Sequence, residues 1–328
     1  MRRREFVTAV GGLATWPLVA RAQQPVTNTP VVMLINARRA DAATVLTAEF
    51  RKGLSQTGLT EGKDVAVEYH WLDGHYENLP AIIGDAVRRH VAVIATPAST
   101  PSSLAAKAAT RTIPVIFLSS ANPVEIGLVA SLNRPGGNIT GVTTLNTELA
   151  PKRLELLRQL APNANHCFAL INPASDLAAA FTKDISAAAA TLGIGIDILR
   201  ASNVREIEQA FADLPQSSRS VLVSSTDALF FVQREQIATL AIRHGLPAIF
   251  DARVYTRAGG LMSYAGDETD MILQYTGYIG RVLKGARPED LPVAQPTKFA
   301  LTINLKTARA LGLSVPPELL ATADEVIE

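Results

Sequence analysis

The sequence predicts an α/β protein of two similar lobes, each a parallel sheet flanked by helices, hinged around a cleft. Three observations predict it. Short apolar runs alternate with helical stripes, the pattern of βαβ units. The series then recurs about 135 residues further on. Gly- and Pro-rich segments mark where the chain would pass between the lobes. With 328 residues, 48% of them hydrophobic, there is material for roughly two domains of ~150 residues with real cores.

The first 22 residues, MRRREFVTAVGGLATWPLVARA, read as an export signal. Arg2, Arg3 and Arg4 open it, a weakly apolar stretch broken by Gly11, Gly12 and Pro17 follows, and Ala20-Arg21-Ala22 offers the small-x-small cleavage pattern. Arg3-Arg4-Glu5-Phe6-Val7 fits the twin-arginine pattern, with an ordinary secretory signal as the alternative. The stretch is too short to span a bilayer. Cleavage before Gln23 would remove four arginines and one glutamate, turning a net charge of +1 into −2. A near-neutral chain lacks the whole-molecule electrostatic footprint of a nucleic-acid binder. The expected product is soluble and exported.

The elements follow in order. Residues 30–36 (PVVMLIN) form a buried strand, and residues 42–56 a helix with Val45, Leu46, Phe50 and Leu54 on one face. Residues 64–71 alternate as a strand, 79–89 are helical, and 91–95 form a second apolar strand. Residues 102–109 are helical and 114–118 a strand. Residues 133–142 (NRPGGNITGV) are a turn-rich crossover candidate, and residues 259–266 (GGLMSYAG) a second. The helix at 269–283 then packs back on the first lobe, before residues 292–296, 299–305 and a helical tail at 306–311.

The repeat is concrete. Leu34-Ile35-Asn36 reappears as Leu170-Ile171-Asn172, and the helix-ending Gly58 as Gly193. Residues 91–95 return at 221–224, and the 113–117 run at 246–250. Four matches in one order predict two lobes, residues 23–143 plus 266–292 and residues 144–265 plus 293–328.

Open parallel sheets bind ligands beyond the carboxyl ends of their strands, and clefts between lobes are favoured sites. The candidates are therefore the polar residues at those ends: Asn36, Thr96, Ser119 and Asn122 in the first lobe, and Asn172, Thr226, Asp227, Asp251 and Arg253 in the second. Asn146 and Tyr264 lie near the crossovers. Arg38 follows the first strand. Hydroxyls and amides here suit an anionic group, Asp227 or Asp251 an amine, and the aromatic residues an apolar body. The same Ser, Thr and Asn residues also read as helix caps.

Signatures of catalysis and cofactors are missing. There is no P-loop, no G-x-S-x-G elbow and no H-E-x-x-H, and no G-x-G-x-x-G follows a strand. The lone Cys167 and five scattered histidines make a poor zinc site, and Cys167 reads as a buried apolar residue. No cofactor, no metal and no enzymatic activity are expected.

The chain resembles the periplasmic substrate-binding proteins of ABC importers, of the tryptophan/tyrosine type, essentially end to end. The resemblance rests on the MRRREF leader, residues 133–142, 152–157 (KRLELL), 258–264 (AGGLMSY) and 281–285 (RVLKG), then 290–313 and the ending ADEVIE at 323–328. It implies a type I periplasmic-binding fold with three crossovers. It further implies capture of a small amino-acid-like or aromatic carboxylate solute by hinge closure, and delivery to a membrane permease with a cytoplasmic ATPase. A ligand-sensing module for a membrane receptor is the alternative, and an exported enzyme a weaker one. Two departures matter. The family's usual Asp-Pro is Asn122-Pro123, and its common Arg-Glu-Phe is Arg253-Val254-Tyr255. Losing two carboxylates counts against a ligand with a cationic amine.

Overall fold

The structure, a computed structural model, describes residues 29–37, 39–40, 44–215 and 219–328, except the side chain of Val45. The leader with its cleavage site, and Arg38, lie outside the described residues.

The first sheet is built from β1 (Val31–Asn36), β2 (Ala66–Trp71), β3 (Val93–Pro97), β4 (Val115–Ser119) and β5 (Ile139–Thr143). Their order is β2-β1-β3-β4-β5, all parallel. Helices α1 (Thr44–Gln56), α2 (Leu79–Arg89) and α3 (Thr100–Ala109) connect the first four strands. Successive side chains in a strand point to opposite faces, so a strand covered on both sides must be apolar at every position. In β1, Met33 and Ile35 enter one apolar layer while Val32 and Leu34 enter the other.

The second sheet repeats this plan. After α4 (Ala150–Leu160) come β6 (His166–Ile171), α5 (Ala178–Leu192), β7 (Gly195–Arg200), α6 (Val204–Ala212) and β8 (Ser220–Ser224). Short α7 (Ala228–Val232) leads to α8 (Arg234–Arg243), β9 (Ala248–Phe250), short α9 (Arg253–Arg257) and β10 (Met262–Gly266). The order β7-β6-β8-β9-β10 reproduces that of the first sheet, and the repeated sequence pairs occupy matching strands, β1 with β6, β3 with β8 and β4 with β9. Cys167 sits in β6 with no exposure, and burial pushes its thiol up to about 12.

Two more strands extend this sheet, β11 (Phe299–Asn304) and β12 (Glu325–Ile327), separated by α11 (Leu305–Ala310) and α12 (Pro317–Ala321). β11 runs antiparallel to β10, a departure from an all-parallel sheet. The reason is topological. The chain leaves β10 at one edge of the sheet, visits the first lobe as α10 (Glu268–Leu283), and re-enters from the same edge. In α10, Met271, Tyr275, Ile279 and Val282 fill the layer that holds Phe50 and Leu54 of α1. Gly53 permits the close approach of these helices: a Cβ there would stand 2.2 Å from Thr276 Oγ1.

The connections fall a few residues from where turn composition places them. Residues 139–143 are edge strand β5, so the first crossover is the 144–149 segment. Gly141 belongs to the strand because a Cβ would meet the Phe117 carbonyl oxygen at 2.1 Å. Residues 262–266 likewise form β10, and the second crossover is the step from Gly266 to Asp267, whose side chain caps α10. The third stays bonded to β5 through Ala294, with Thr143 N donating to Ala294 O at 2.9 Å, before reaching β11.

Candidate functional site

The predicted site residues mark one candidate region, the carboxyl ends of both sheets and the connections between them. Its backbone is unusual. Four non-glycine residues among those described hold positive φ. One, His90, is a helix C-cap. The other three, Asp73, Ala98 and Leu145 (φ 49°, 52° and 54°), lie just beyond β2, β3 and β5. Such conformations cost about 1–3 kcal/mol each and gather at working sites.

The first lobe presents a neutral rim, and most of its predicted site residues are occupied within the lobe. Asn36, with no exposure, donates Nδ2–H to Pro97 O at 2.7 Å. Thr96 Oγ1 pairs with Ser103 Oγ of α3 at 2.8 Å, and Ser119 Oγ with Thr100 Oγ1 at 3.2 Å. These groups lock strand ends to α3. Asn122 accepts from Val124 N in a tight turn and donates to Glu148 Oε1 at 3.1 Å, tying the loop after β4 to the first crossover. Burial pushes the Glu148 carboxyl up.

The loop after β2 forms the first lobe's other wall. It is fastened to β1 by Leu72 N donating to Asn36 O at 2.9 Å and Gly74 N donating to Ala37 O at 3.2 Å. Left-handed Asp73 and Gly74 turn the chain, and Tyr76 stands out from it, 39% exposed. Partial burial, with Asp176 and Asp227 of the second lobe close by, raises the Tyr76 phenol above its usual range.

On the second lobe Asn172, the counterpart of Asn36, donates Nδ2–H to Asp227 Oδ2 at 3.1 Å. Asp227 also caps α7, accepting from Leu229 N at 2.8 Å. Burial nonetheless outweighs these bonds and raises its pKa. Asp251, 7% exposed, is raised by burial too; Arg153 and Thr226 pull the other way. The Thr226 hydroxyl lies close enough to the Asp251 carboxylate to stabilise its charge, although neither Thr226 Oγ1, Asp251 Oδ1 nor the Tyr255 hydroxyl makes a hydrogen bond of ordinary distance and angle among the described residues. The guanidinium of Arg253 makes no ion pair among the described residues. Tyr264 stacks on Phe299, centroids 5.9 Å apart.

The residue that joins these parts is Arg153 of α4, fully buried. Its Nε donates to Tyr264 O at 2.8 Å, its Nη1 to Asn146 O at 2.8 Å, and its Nη2 to Asn146 Oδ1 at 3.2 Å. One guanidinium thus fastens the first crossover to the strand that leads into the second. Burial pulls its pKa down to about 10, against the opposing pull of the Asp251 charge. Among the residues predicted from sequence, the structure brings together Asn146 with Tyr264 through Arg153, and Asn172, Thr226, Asp227 and Asp251 on one rim. Asn36, Thr96 and Ser119 are held in the first lobe's own packing.

Arg153, Tyr76 and Tyr255 join the site without having been predicted. Arg153 carried a signal: it shares a helical face with Leu157 and Leu160, a charge inside an apolar stripe. Tyr76 and Tyr255 carried none beyond their closeness to strand ends.

The strand ends of the second sheet thus carry acidic and hydroxyl groups, and Arg153 fastens the first crossover to β10. Comparison with known proteins shows the family. The model of the ABC transporter substrate binding protein family matches residues 32–327. A tyrosine-binding protein of Clostridioides difficile is 26% identical over 265 residues, 80% of this chain and 75% of that protein. The fold matches that of an ABC domain from Streptococcus pneumonia solved in complex with L-Trp, with a TM-score of 0.82 and 24% identity over 91% of this chain and 100% of that one. A conserved domain protein from Vibrio cholerae matches equally, TM-score 0.82 and 25% identity over 91% and 99%. No helix among the described residues is long and apolar enough to cross a membrane. The chain belongs to the ABC transporter substrate-binding protein family.

Proposed function

We propose that the chain captures an amino-acid-like solute with an aromatic or other apolar body between its lobes and hands it to the permease of an ABC importer. The observation that carries the reading is the match of residues 32–327 to the ABC transporter substrate binding protein family, on a chain whose two sheets share one strand order and carry polar residues at their carboxyl ends. A solute held between the two lobes touches both, and a ligand that binds the closed arrangement better than the open one shifts the population toward it. The tyrosine-binding relative and the L-Trp-bound neighbour support the choice of solute class.

The moving bodies are residues 23–143 plus 266–292 and residues 144–265 plus 293–328. The ligand-facing set is Asn122, Asn146, Asn172, Thr226, Asp227, Asp251, Arg253 and Tyr264, with Tyr76 added; Asn36, Thr96 and Ser119 shape the wall behind it. The chain works outside the inner membrane as a soluble monomer, after loss of its leader at Ala22. It catalyses no reaction and uses no cofactor. Its partners are the solute and a permease with a cytoplasmic ATPase.

A thermal-shift panel of aromatic and aliphatic L-amino acids, aromatic acids, nucleobases and sugars tests the reading. A ligand at ~100 times its Kd stabilises by about 2.7 kcal/mol. A shift confined to amino acids and aromatic acids supports the solute class. A shift with sugars or nucleobases alone, or with no member of the panel, contradicts it.

A further inference from the structure

Two of the three connections between the lobes narrow to a single residue. In the first, Thr144 N donates to Ser119 O at 2.8 Å and so belongs to the first lobe. Leu145 N donates to Thr143 Oγ1 at 3.3 Å, on the same side. The Leu145 carbonyl already belongs to the second lobe, accepting from Leu149 N at 3.2 Å as the chain enters α4. Leu145 is also held in the left-handed region, with φ 54°. In the second connection, Asp267 N donates to Lys298 O at 3.0 Å, continuing the pairing of β10 with β11. The Asp267 carbonyl accepts from Met271 N at 3.0 Å and its carboxylate from Asp270 N at 2.8 Å, both in α10 on the first lobe.

Hydrogen bonds hold the backbone on either side of these residues, so a change of lobe angle falls on the torsions between. Hinges are a few residues at element ends that absorb such changes. The third connection is looser. Ala294 is bonded to β5 and Lys298 to Asp267, which leaves residues 295–297 between the lobes.

Arg153 spans the two narrow points. Its Nη1 holds the carbonyl of Asn146, the residue after Leu145, and its Nε holds the carbonyl of Tyr264, three residues before Asp267. The side chain is fully buried and its guanidinium is planar, so it acts as a stiff brace. Two points at a fixed separation define a line. Rotation about that line is free, whereas twisting or sliding of one lobe on the other strains the brace. The bonds that cross the first pivot run through side chains: Asn146 N to Thr144 Oγ1 at 3.4 Å, Thr147 Oγ1 to Ser120 O at 3.4 Å, and Asn122 Nδ2 to Glu148 Oε1 at 3.1 Å. Side chains re-aim as the lobes turn, so these bonds do not lock the angle.

We propose that Leu145 and Asp267 are the pivots on which the lobes turn, and that Arg153 is the positioning residue that keeps the two pivots in register. This rests on the reading that the lobes close on a solute, and names where the chain bends.

Spin–spin distance measurement on doubly labelled protein tests it. One pair, Thr112→Cys with Lys183→Cys, spans the lobes, and a second, Lys183→Cys with Arg205→Cys, lies within the second lobe. All three sites are exposed, and the natural Cys167 is buried away from the label. Glycine admits both signs of φ, so Leu145→Gly should broaden the inter-lobe distribution about twofold, while Leu145→Ala leaves it as in wild type. Asp267→Gly should broaden it likewise, with Asp267→Asn, which keeps a helix cap, unchanged. Arg153→Lys keeps the charge but loses the fork that holds two carbonyls, and should broaden it too. The distance within the second lobe should stay as in wild type throughout, which shows that each variant is folded. No broadening in Leu145→Gly, Asp267→Gly or Arg153→Lys, equal broadening in Leu145→Ala, or broadening within the second lobe overturns the pivots. L-Tyrosine or L-tryptophan added to wild type should shift the inter-lobe distance. A distance that moves with neither contradicts closure on such a solute, while the ligand-free comparison still decides the pivots.

Discussion

Replacing Arg153 by Met removes the guanidinium while keeping an unbranched side chain in its place. Three hydrogen bonds go: to Tyr264 O at 2.8 Å, to Asn146 O at 2.8 Å and to Asn146 Oδ1 at 3.2 Å. Asp251 loses the cation that offsets part of its burial. Removing one member of a buried charged network costs about 3–5 kcal/mol, because the remaining groups stay buried without compensation. The cost has a pH signature. The folded-state pKa of Asp251 is raised, so its ionisation penalises the folded state. That penalty is absent below the ordinary carboxylate range near 3.8 and is complete above the raised value. Met at position 153 pushes the Asp251 pKa further up. The gap between wild type and variant should therefore widen as pH rises from about 4 toward neutrality. At the acidic end only the lost hydrogen bonds contribute. Urea unfolding at several pH values, with the slope m unchanged, measures this directly. In an Asp251→Asn background the widening should vanish. A loss below about 1 kcal/mol at neutral pH, or a gap that narrows with rising pH, would refute the role given to the buried guanidinium.

Three further outcomes are expected. Gly53→Ala forces a Cβ to 2.2 Å from Thr276 Oγ1 and 3.0 Å from its Cβ, so separating α1 from α10 should cost about 1–3 kcal/mol in a melting experiment with solute affinity little changed. Tyr76→Ala trims a side chain that is 39% exposed in the free protein, so apo stability should stay within about 0.5 kcal/mol while solute affinity falls about tenfold or more; an unchanged Kd would remove Tyr76 from the site. Tyr264→Ala and Thr226→Ala should each weaken solute binding more than they lower the apo melting temperature, and unchanged affinity in both would take them out of the recess.

Much of the fold is legible in the chain because parallel strands covered on both faces must be apolar throughout. Residues 31–36 and 166–171 advertise themselves that way, and the Leu-Ile-Asn at 34–36 and again at 170–172 marks equivalent positions in two sheets of the same strand order. Topology after β10 is less legible. Residues 299–304 read as a strand, but nothing local tells which way a strand returning from another lobe will run. Gly141 and Gly266 read as turn residues and lie in strands, since a glycine serves a close approach as well as a bend; a Cβ on Gly266 would crowd Pro296 at 2.9 Å.

The site divides along a physical line. Asn172 and Asp227 are 55 positions apart and hydrogen-bonded, as strand-end placement predicts. Asn36, Thr96 and Ser119 satisfy the same rule, yet their polar atoms bond to Pro97, Ser103 and Thr100 inside the first lobe. A small hydroxyl or amide at a strand end is equally fit to cap a helix or to meet a solute, and only its neighbours decide. Tyr255 enters the sequence reading only as part of the Arg253-Val254-Tyr255 departure, and its hydroxyl is buried without a hydrogen-bond partner. Tyr76 feels the charges of Asp176 and Asp227, about 100 and 150 positions away, an influence no local pattern encodes.

The central claim is that a small solute is held between the lobes and draws them together. Small-angle X-ray scattering during titration with the amino acid that most raises the melting temperature tests it most directly. The radius of gyration should fall progressively with occupancy and saturate at the Kd found by calorimetry, while Tyr76→Ala requires more solute for the same compaction. Saturated binding with no change in the radius of gyration would contradict the claim.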